Sequence, residues 1–250
     1  MSGHSKWSKV KHQKASSDAA RGKIFTKLAN AITIAVRENG GIADPDTNFK
    51  LRLVIEKAKN VNMPKENINR AIERAKGVGE GSSLEEAIYE AFGPGGVGII
   101  IEAATNNKQR TVSELKNILE RSGGVLAASR AVSHFFKLVG LINISRADKS
   151  FDTIMEAAIN YGAIDIEDAG ETIEVYTAPS DLHKIKEALS NAGFTVSSFE
   201  LFYKPITTVP ITDQKMSQQI LKLLSDLEDR EDVQKVFANF DIPDQFLLTQ

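Results

Sequence analysis

The amino-acid sequence predicts an α+β protein of three domains: an N-terminal helical domain followed by two α/β domains, one of them ferredoxin-like and inserted in the other. Three observations carry this expectation. Apolar residues in the first 80 positions recur at three- and four-residue steps, the period of an amphipathic helix. Beyond them, short strand-like runs alternate with helical stripes and glycine-marked turns. A weak repeat is also present: Glu156, Ala157, Asn160 and Gly162 recur 31 residues later as Glu187, Ala188, Asn191 and Gly193, each set closing a helix before a strand.

The first helix is expected from about Ser16 to Glu38, with Ile24, Phe25, Leu28, Ile32, Ala35 and Val36 on one side and Gly40-Gly41 as the left-handed stop. Asp44-Pro45 reads as a cap followed by proline at the first position of a second helix. That helix turns Phe49, Leu51, Val54, Ile55 and Ala58 inward and ends near Asn60. Pro64 opens a third, with Ile68, Ala71, Ile72 and Ala75 inward and Arg70 and Arg74, four apart, on a shared outer face. The stretch from Gly77 to Ser83 reads as a linker.

Ala87 to Phe92, the turn Gly93-Pro94-Gly95-Gly96 and Val97 to Ala104 then read as a hairpin. A helix from Thr111 to Arg121 stops at Gly123-Gly124, and strand character resumes over Ser133 to Ile144. From there the order is strand, helix, strand, strand, helix, strand: Leu141 to Ser145, Phe151 to Tyr161, Ala163 to Glu167, Thr172 to Thr177, Leu182 to Asn191 and Phe194 to Phe202. This is the split βαβ, ferredoxin-like order. The C-terminal segment adds a helix with Met216, Ile220, Leu223, Leu224 and Leu227, an acidic turn from Asp226 to Asp232 and a strand from Val233 to Phe237. The middle segment has one hairpin and one helix of its own, so it needs that helix and strand to complete its layer. The expected domains are therefore 1–80, 81–139 plus 204–250, and the inserted 140–203.

Charge adds a functional direction. The chain has 31 Lys+Arg against 33 Asp+Glu, a net of -2, which taken whole argues against a polyanionic partner. Residues 1–80 hold 16 basic and 8 acidic side chains, a net of +8, and residues 81–250 hold 15 and 25, a net of -10. A basic head on an acidic body points to nucleic acid, with the body repelled by phosphate and the head turned toward it. Zero cysteine excludes disulfide scaffolds, Cys-ligated zinc, iron–sulfur clusters and thiol catalysis, and suits a reducing cytoplasm. The N-terminal lysines have no apolar run behind them, as a secretory signal would require. The apolar stretches Val97 to Ile101 and Val139 to Ile142 fall far short of the roughly 20 residues of a membrane helix. The expectation is a cytoplasmic protein with no membrane partner, monomeric or weakly dimeric.

Residues 1–27 carry seven basic side chains (Lys6, Lys9, Lys11, Lys14, Arg21, Lys23 and Lys27) against one acid, Asp18. Cations at this density suit successive phosphates, with counterion release driving association. Trp7 can stack on a base or sugar, and His4 and His12 can add hydrogen bonds. A solvated tail whose Trp7 packs back on the helices is the competing reading. Arg70 and Arg74, beside Asn67 and Asn69, are side chains of the kind that read base edges. Phosphate contact is the more general expectation for them, and a solvated helix face the bland one. The segment from Asn106 to Thr111 enters a helix from a strand, where free N–H groups favour an anion that Lys108 and Arg110 would reinforce. Simple capping by Asn or Thr accounts for the same residues. Gly93 to Gly98 is a turn and not a P-loop, because no Gly-Lys-Ser/Thr follows. His4, His12, His134 and His183 lack metal-ligand spacing, acids such as Glu85-Glu86 and Asp165/Glu167/Asp168 read as solvated faces, and no serine sits in a nucleophile elbow. No catalytic residue, metal or cofactor is expected.

Five motifs together resemble the YebC/PmpR family: Gly3-His4-Ser5-Lys6-Trp7, Arg21-Gly22-Lys23-Ile24-Phe25-Thr26-Lys27, Tyr89-Glu90 with Phe92-Gly93-Pro94-Gly95-Gly96, Asn107 to Thr111, and Ser122-Gly123-Gly124. The likeness runs essentially end to end. It implies a three-domain protein with an N-terminal helical domain and a cytoplasmic regulatory role. Members of that family are assigned as DNA-binding transcriptional regulators and also as ribosome-associated factors that help translation through proline-rich stretches; a mitochondrial relative activates translation of a cytochrome oxidase subunit. The resemblance carries over to Arg110 better than to Lys108, and Ser129-Arg130-Ala131 stands where the family pattern is more glycine-like.

Overall fold

Leu28, Ile32, Ala35 and Val36 lie on one side of helix α1 (Asp18–Glu38), where α2 (Phe49–Asn60) and α3 (Lys65–Lys76) close over them with Leu51, Ala58, Ile68, Ala71 and Ala75. Helices of 12 residues are marginal alone, so this shared apolar seam is what holds α2 and α3 in place. The structure is a computed structural model and describes residues 18–77, 84–146, 149–243 and 246. The stop of α1 follows its glycines: Gly40 and Gly41 have φ of 66° and 83°, and Gly41 N donates to Val36 O at 2.9 Å.

The start of α2 differs from the expectation. Asp44 caps a separate turn, taking Asp46 N at 3.0 Å, and the helix begins at Phe49 with Asn48 as its cap. Asn48 is 1% exposed and fully bonded. Its Oδ1 accepts from Leu51 N at 3.0 Å, and its Nδ2 donates to Ala35 O and Ile42 O, both at 2.8 Å. A buried amide with every bond made outweighs a local proline signal, because leaving its own polar atoms unpaired inside the protein would carry their full desolvation cost.

The second layer is a four-stranded antiparallel sheet of order β3-β1-β2-β9, from β1 (Glu85–Phe92), β2 (Gly98–Thr105), β3 (Val125–Leu126) and β9 (Val233–Ala238). Ile99 and Ile101 of β2 face α4 (Lys108–Arg121) and α7 (Gln214–Glu228), packing with Leu115, Leu119, Leu223 and Leu224. Side chains alternate across a strand, so Ile100 and Phe237, 1% and 2% exposed, occupy the opposite face, where α1 packs on β2 and β9. Lys50 fastens that contact, 2.8 Å from Glu38 and 3.6 Å from Glu86. Burial and a hydrogen bond to Glu38 push the Glu86 carboxyl up; burial also acts on Glu38, but Lys50 and the Glu86 proton outweigh it and hold Glu38 down. The hairpin turn is a 3-10 turn over Pro94–Gly96, in which Gly95 (φ 71°) has no room for a Cβ because Met216 Sδ would lie 2.8 Å away. A two-strand parallel pair joins β8 (Val209–Pro210) to β10 (Phe240–Asp241).

Glu90 organises the exit from this sheet. It is 7% exposed, and its carboxylate accepts the backbone N–H of Arg130 at 2.8 Å, of Ser133 at 2.9 Å and of Val132. Those donors are consequently unavailable to a ladder, which is why the strand expected from Ser133 begins only at Phe136, after a 3-10 turn over Ser133–Phe135. The same loop holds Arg130 at φ 68°, where an L side chain costs about 1–2 kcal/mol. Arg130→Gly is therefore expected to stabilise the protein by roughly 0.5–1 kcal/mol after glycine's extra chain entropy is set against that relief, raising Tm by a few degrees. A lowered Tm in a thermal melt would show that the arginine is not strained there.

Phe135–Thr207 forms a separate compact unit, flanked in sequence by the two parts of the other. Its sheet runs β5-β6-β4-β7, from β4 (Phe136–Ser145), β5 (Asp165–Asp168), β6 (Thr172–Thr177) and β7 (Val196–Pro205), all neighbours antiparallel. In chain order this is 2-3-1-4, the ferredoxin-like arrangement. Helices α5 (Phe151–Asn160) and α6 (Leu182–Asn191) pack on it through Ile154, Ala158, Leu182, Ile185 and Leu189, all at most 1% exposed. The internal repeat has a structural cause: both helices end identically. Gly162 and Gly193 adopt φ of 100° and 80°, and the next amide folds back, Ala163 N to Ala158 O at 2.9 Å and Phe194 N to Leu189 O at 3.1 Å. The chain is thus an α+β protein with a helical domain followed by two α/β domains.

Candidate nucleic-acid interface

The cationic side chains of the helical domain sort by what they touch. Lys23 and Lys27 lie one turn apart on α1 and both reach the acidic turn after α7: Lys23 Nζ is 3.2 Å from Asp229 Oδ1, and Lys27 Nζ donates to Glu228 O. Arg21 precedes them on the same helix and is exposed. On α3, Arg70 pairs with Glu66 one turn earlier. Arg74 does not stand out beside Arg70. Its guanidinium turns onto α1, with Nε and Nη2 at 3.2 and 2.9 Å from Thr33 Oγ1 and Nη2 at 3.0 Å from Asn30 Oδ1.

The Asn106 to Thr111 segment is already helical. Asn107 caps α4 by accepting from Arg110 N at 3.0 Å, which places Lys108 and Arg110 in the first turn rather than in a loop. The anion they meet belongs to the chain. Arg110 Nη2 is 3.0 Å from Asp232 Oδ2, and Thr111 Oγ1 lies 2.7 Å from that oxygen and 2.8 Å from Thr105 Oγ1. Lys108 Nζ is 2.6 Å from Glu85 Oε2. Donating a hydrogen bond to Glu85 raises the Lys108 ammonium, and donating to Asp232 raises the Arg110 guanidinium. Acids that read as solvated faces are cation-bound here: Glu85 by Lys108, Glu86 by Lys50, and Asp165 and Glu167 by Lys204 at 2.5 and 2.8 Å.

Comparison with known proteins turns this geometry into a family assignment. Residues 5–78 match the model described as the TACO1/YebC protein N-terminal domain, and residues 84–240 match the TACO1/YebC second and third domain. The chain belongs to the TACO1/YebC family. A "probable transcriptional regulatory protein" of Sulfurihydrogenibium sp. is 49% identical over 248 residues, covering 99% of this chain and 98% of that one. A protein of the same name from Aquifex aeolicus is 43% identical over 247 residues, covering 99% and 98%. A crystal structure of a conserved hypothetical protein from Aquifex aeolicus superposes with a TM-score of 0.84 at 43% identity, covering 92% of this chain and 94% of that one.

Within this TACO1/YebC chain, the arm residues Lys6, Trp7, Lys9, Lys11, His12 and Lys14 lie outside the described residues. Among the described residues, no helix is long and apolar enough to cross a membrane, and no cluster of three His, Cys, Asp or Glu is placed to hold a metal ion. Sequence reasoning missed Thr33, Asn30 and Arg37, which the crossing of α1 and α3 brings to Arg74, and it missed Asp232 as the partner of Arg110. Asp232 was visible only as part of an acidic turn, since 122 residues separate it from Arg110.

Proposed function

We propose that this TACO1/YebC member is a noncatalytic regulator that holds DNA through its N-terminal arm and helical domain. The segregation of charge carries the reading: a net of +8 in residues 1–80 against -10 in residues 81–250. Counterion release from a phosphate backbone rewards that concentration of cations wherever it meets a polyanion, while the acidic body resists the same partner. The names of the relatives, probable transcriptional regulatory proteins, favour DNA over RNA. Lys23 and Lys27 are tied back to the acidic turn, so the arm lysines and the α1–α3 surface supply the phosphate contacts. Crosslinking the protein in growing cells and sequencing the attached nucleic acid tests this. Promoter DNA is the expected result; ribosomal RNA would replace the reading with a translation factor acting at difficult, proline-rich stretches.

A further inference from the structure

We propose that Lys23 of α1 is a phosphate site whose place is taken in the free protein by the Asp229 carboxylate, and that a nucleic-acid backbone enters it by displacing that acid. This rests on the nucleic-acid reading above and adds to it a contact that is tied back until the polyanion arrives. Lys23 and Lys27 stand one turn apart, so both cations leave α1 on the same face. They hold the turn after α7 in different ways. Lys27 Nζ donates to the backbone carbonyl of Glu228 at a part-buried position, and this bond fixes where the turn lies. Lys23 Nζ meets Asp229 Oδ1 at 3.2 Å, with the two side chains 53% and 67% exposed. Among the described residues Asp229 is the one ion-pair partner of Lys23. An ion pair so open to water is weak, and a competing anion reaches its cation from solvent.

Asp229 sits against the preference of its own helix. It closes α7 directly after Glu228, and the last turn of that helix holds no basic residue. The carbonyl end of a helix favours cations and disfavours acids. Asparagine or serine would end α7 without that repulsion, so α7 alone gives no reason for an acid there. The neighbouring Asp232 is engaged elsewhere, by Arg110 and Thr111. What the Asp229 carboxylate does is place one anionic oxygen at the Lys23 ammonium, as a phosphate oxygen would. An ammonium is a point charge with rotatable donors, so exchanging one such oxygen for the other needs no change in its geometry. Lys23 also lies in the first two turns of α1, directly after the basic arm in sequence. A backbone held by the arm therefore presents its phosphates to Lys23 at high local concentration, which is what the displacement of a weak intramolecular partner requires.

The test measures affinity of the full chain for a duplex DNA by fluorescence anisotropy across a salt series. Asp229→Asn is expected to tighten binding roughly twofold to fivefold at low salt, the range over which an exposed ion pair competes, and the gain should shrink as salt screens that pair. Lys23→Gln should weaken binding and make the slope of log K against log salt shallower by about 0.9, one phosphate contact. The double variant should match Lys23→Gln, because Asp229 acts only through Lys23. Glu231→Gln removes the same charge two residues further on and should tighten binding less than Asp229→Asn does. The Asp229→Asn melt is expected no lower than that of the wild type, since an acid leaves the helix end; if it is lower, Asp229→Ser carries the same comparison. Unchanged affinity in the Asp229 variants, or an equal gain in the Lys23→Gln background, would overturn the proposal, and the wider reading would stand if glutamate at the arm lysines still removed binding. Absence of duplex binding by the wild type and Asp229→Asn alike would overturn the wider reading and this site with it.

Discussion

Changing Lys6, Lys9, Lys11 and Lys14 together to glutamate is expected to abolish nucleic-acid binding at physiological salt and to flatten whatever salt dependence remains. Each neutralised phosphate contributes roughly 0.9 to the slope for duplex DNA and 0.7 for single strands, so removing four lysine–phosphate pairs lowers it by about 3 to 4. Reversing sign goes further than neutralising, because the segment 1–27 falls from seven basic and one acidic side chain to three and five. A thermal melt of the variant checks separately that it folds. Filter binding or fluorescence anisotropy over a salt series measures the change. Unaltered affinity would remove the arm from the interface, and with it the charge argument for a polyanionic partner.

Glu90→Gln is expected to cost about 3 kcal/mol of stability and lower Tm by roughly 6–12 °C. The carboxylate is the only acceptor seen for the amides of Arg130, Val132 and Ser133 among the described residues, and bonds to a charged oxygen are stronger than neutral ones. A glutamine keeps the size but turns an NH2 toward one of those donors. Burial is the largest single influence on Glu90 and raises its pKa; the three backbone donors together outweigh it and hold the carboxyl below its ordinary value of 4.5. A depressed folded-state pKa means that the stabilisation is complete above about 4.5 and disappears as pH falls through the folded value. The gap in Tm between wild type and Glu90→Gln should therefore be widest near neutrality and close in acid. A gap that stays constant to low pH would mean that the glutamine acts through packing rather than through the lost charge.

Much of the fold is legible in the sequence because its signals are local. The stripes of α1, α2 and α3 repeat at helical steps, Gly40-Gly41 stops a helix wherever it occurs, and the repeat ending in Gly162 and Gly193 announces two helices capped alike. The start of α2 is not legible in this way: Asp44-Pro45 is a strong cap pattern in isolation, while Asn48 gains its role from Ala35 and Ile42, which only the folded chain brings to it. The short strands β3, β8 and β10 have two residues each, too few for any period to register. The candidate interface is legible as charge and illegible as geometry. Lys23 and Asp229 are 206 residues apart, and Arg74 and Thr33 are 41 apart, so neither pairing leaves a trace in spacing.

The place of β9 in the middle sheet also fixes an order of events during synthesis. Strand β2 is bordered by β1 on one edge and by Val233–Ala238 on the other, so no nascent chain shorter than that can close the sheet. The ferredoxin-like unit has all four of its strands between Phe136 and Pro205 and can complete itself earlier. Until α7 and β9 have been made, the β1–β2 hairpin has an unpaired edge and its apolar face lacks α7, the kind of exposed strand on which misassembly begins.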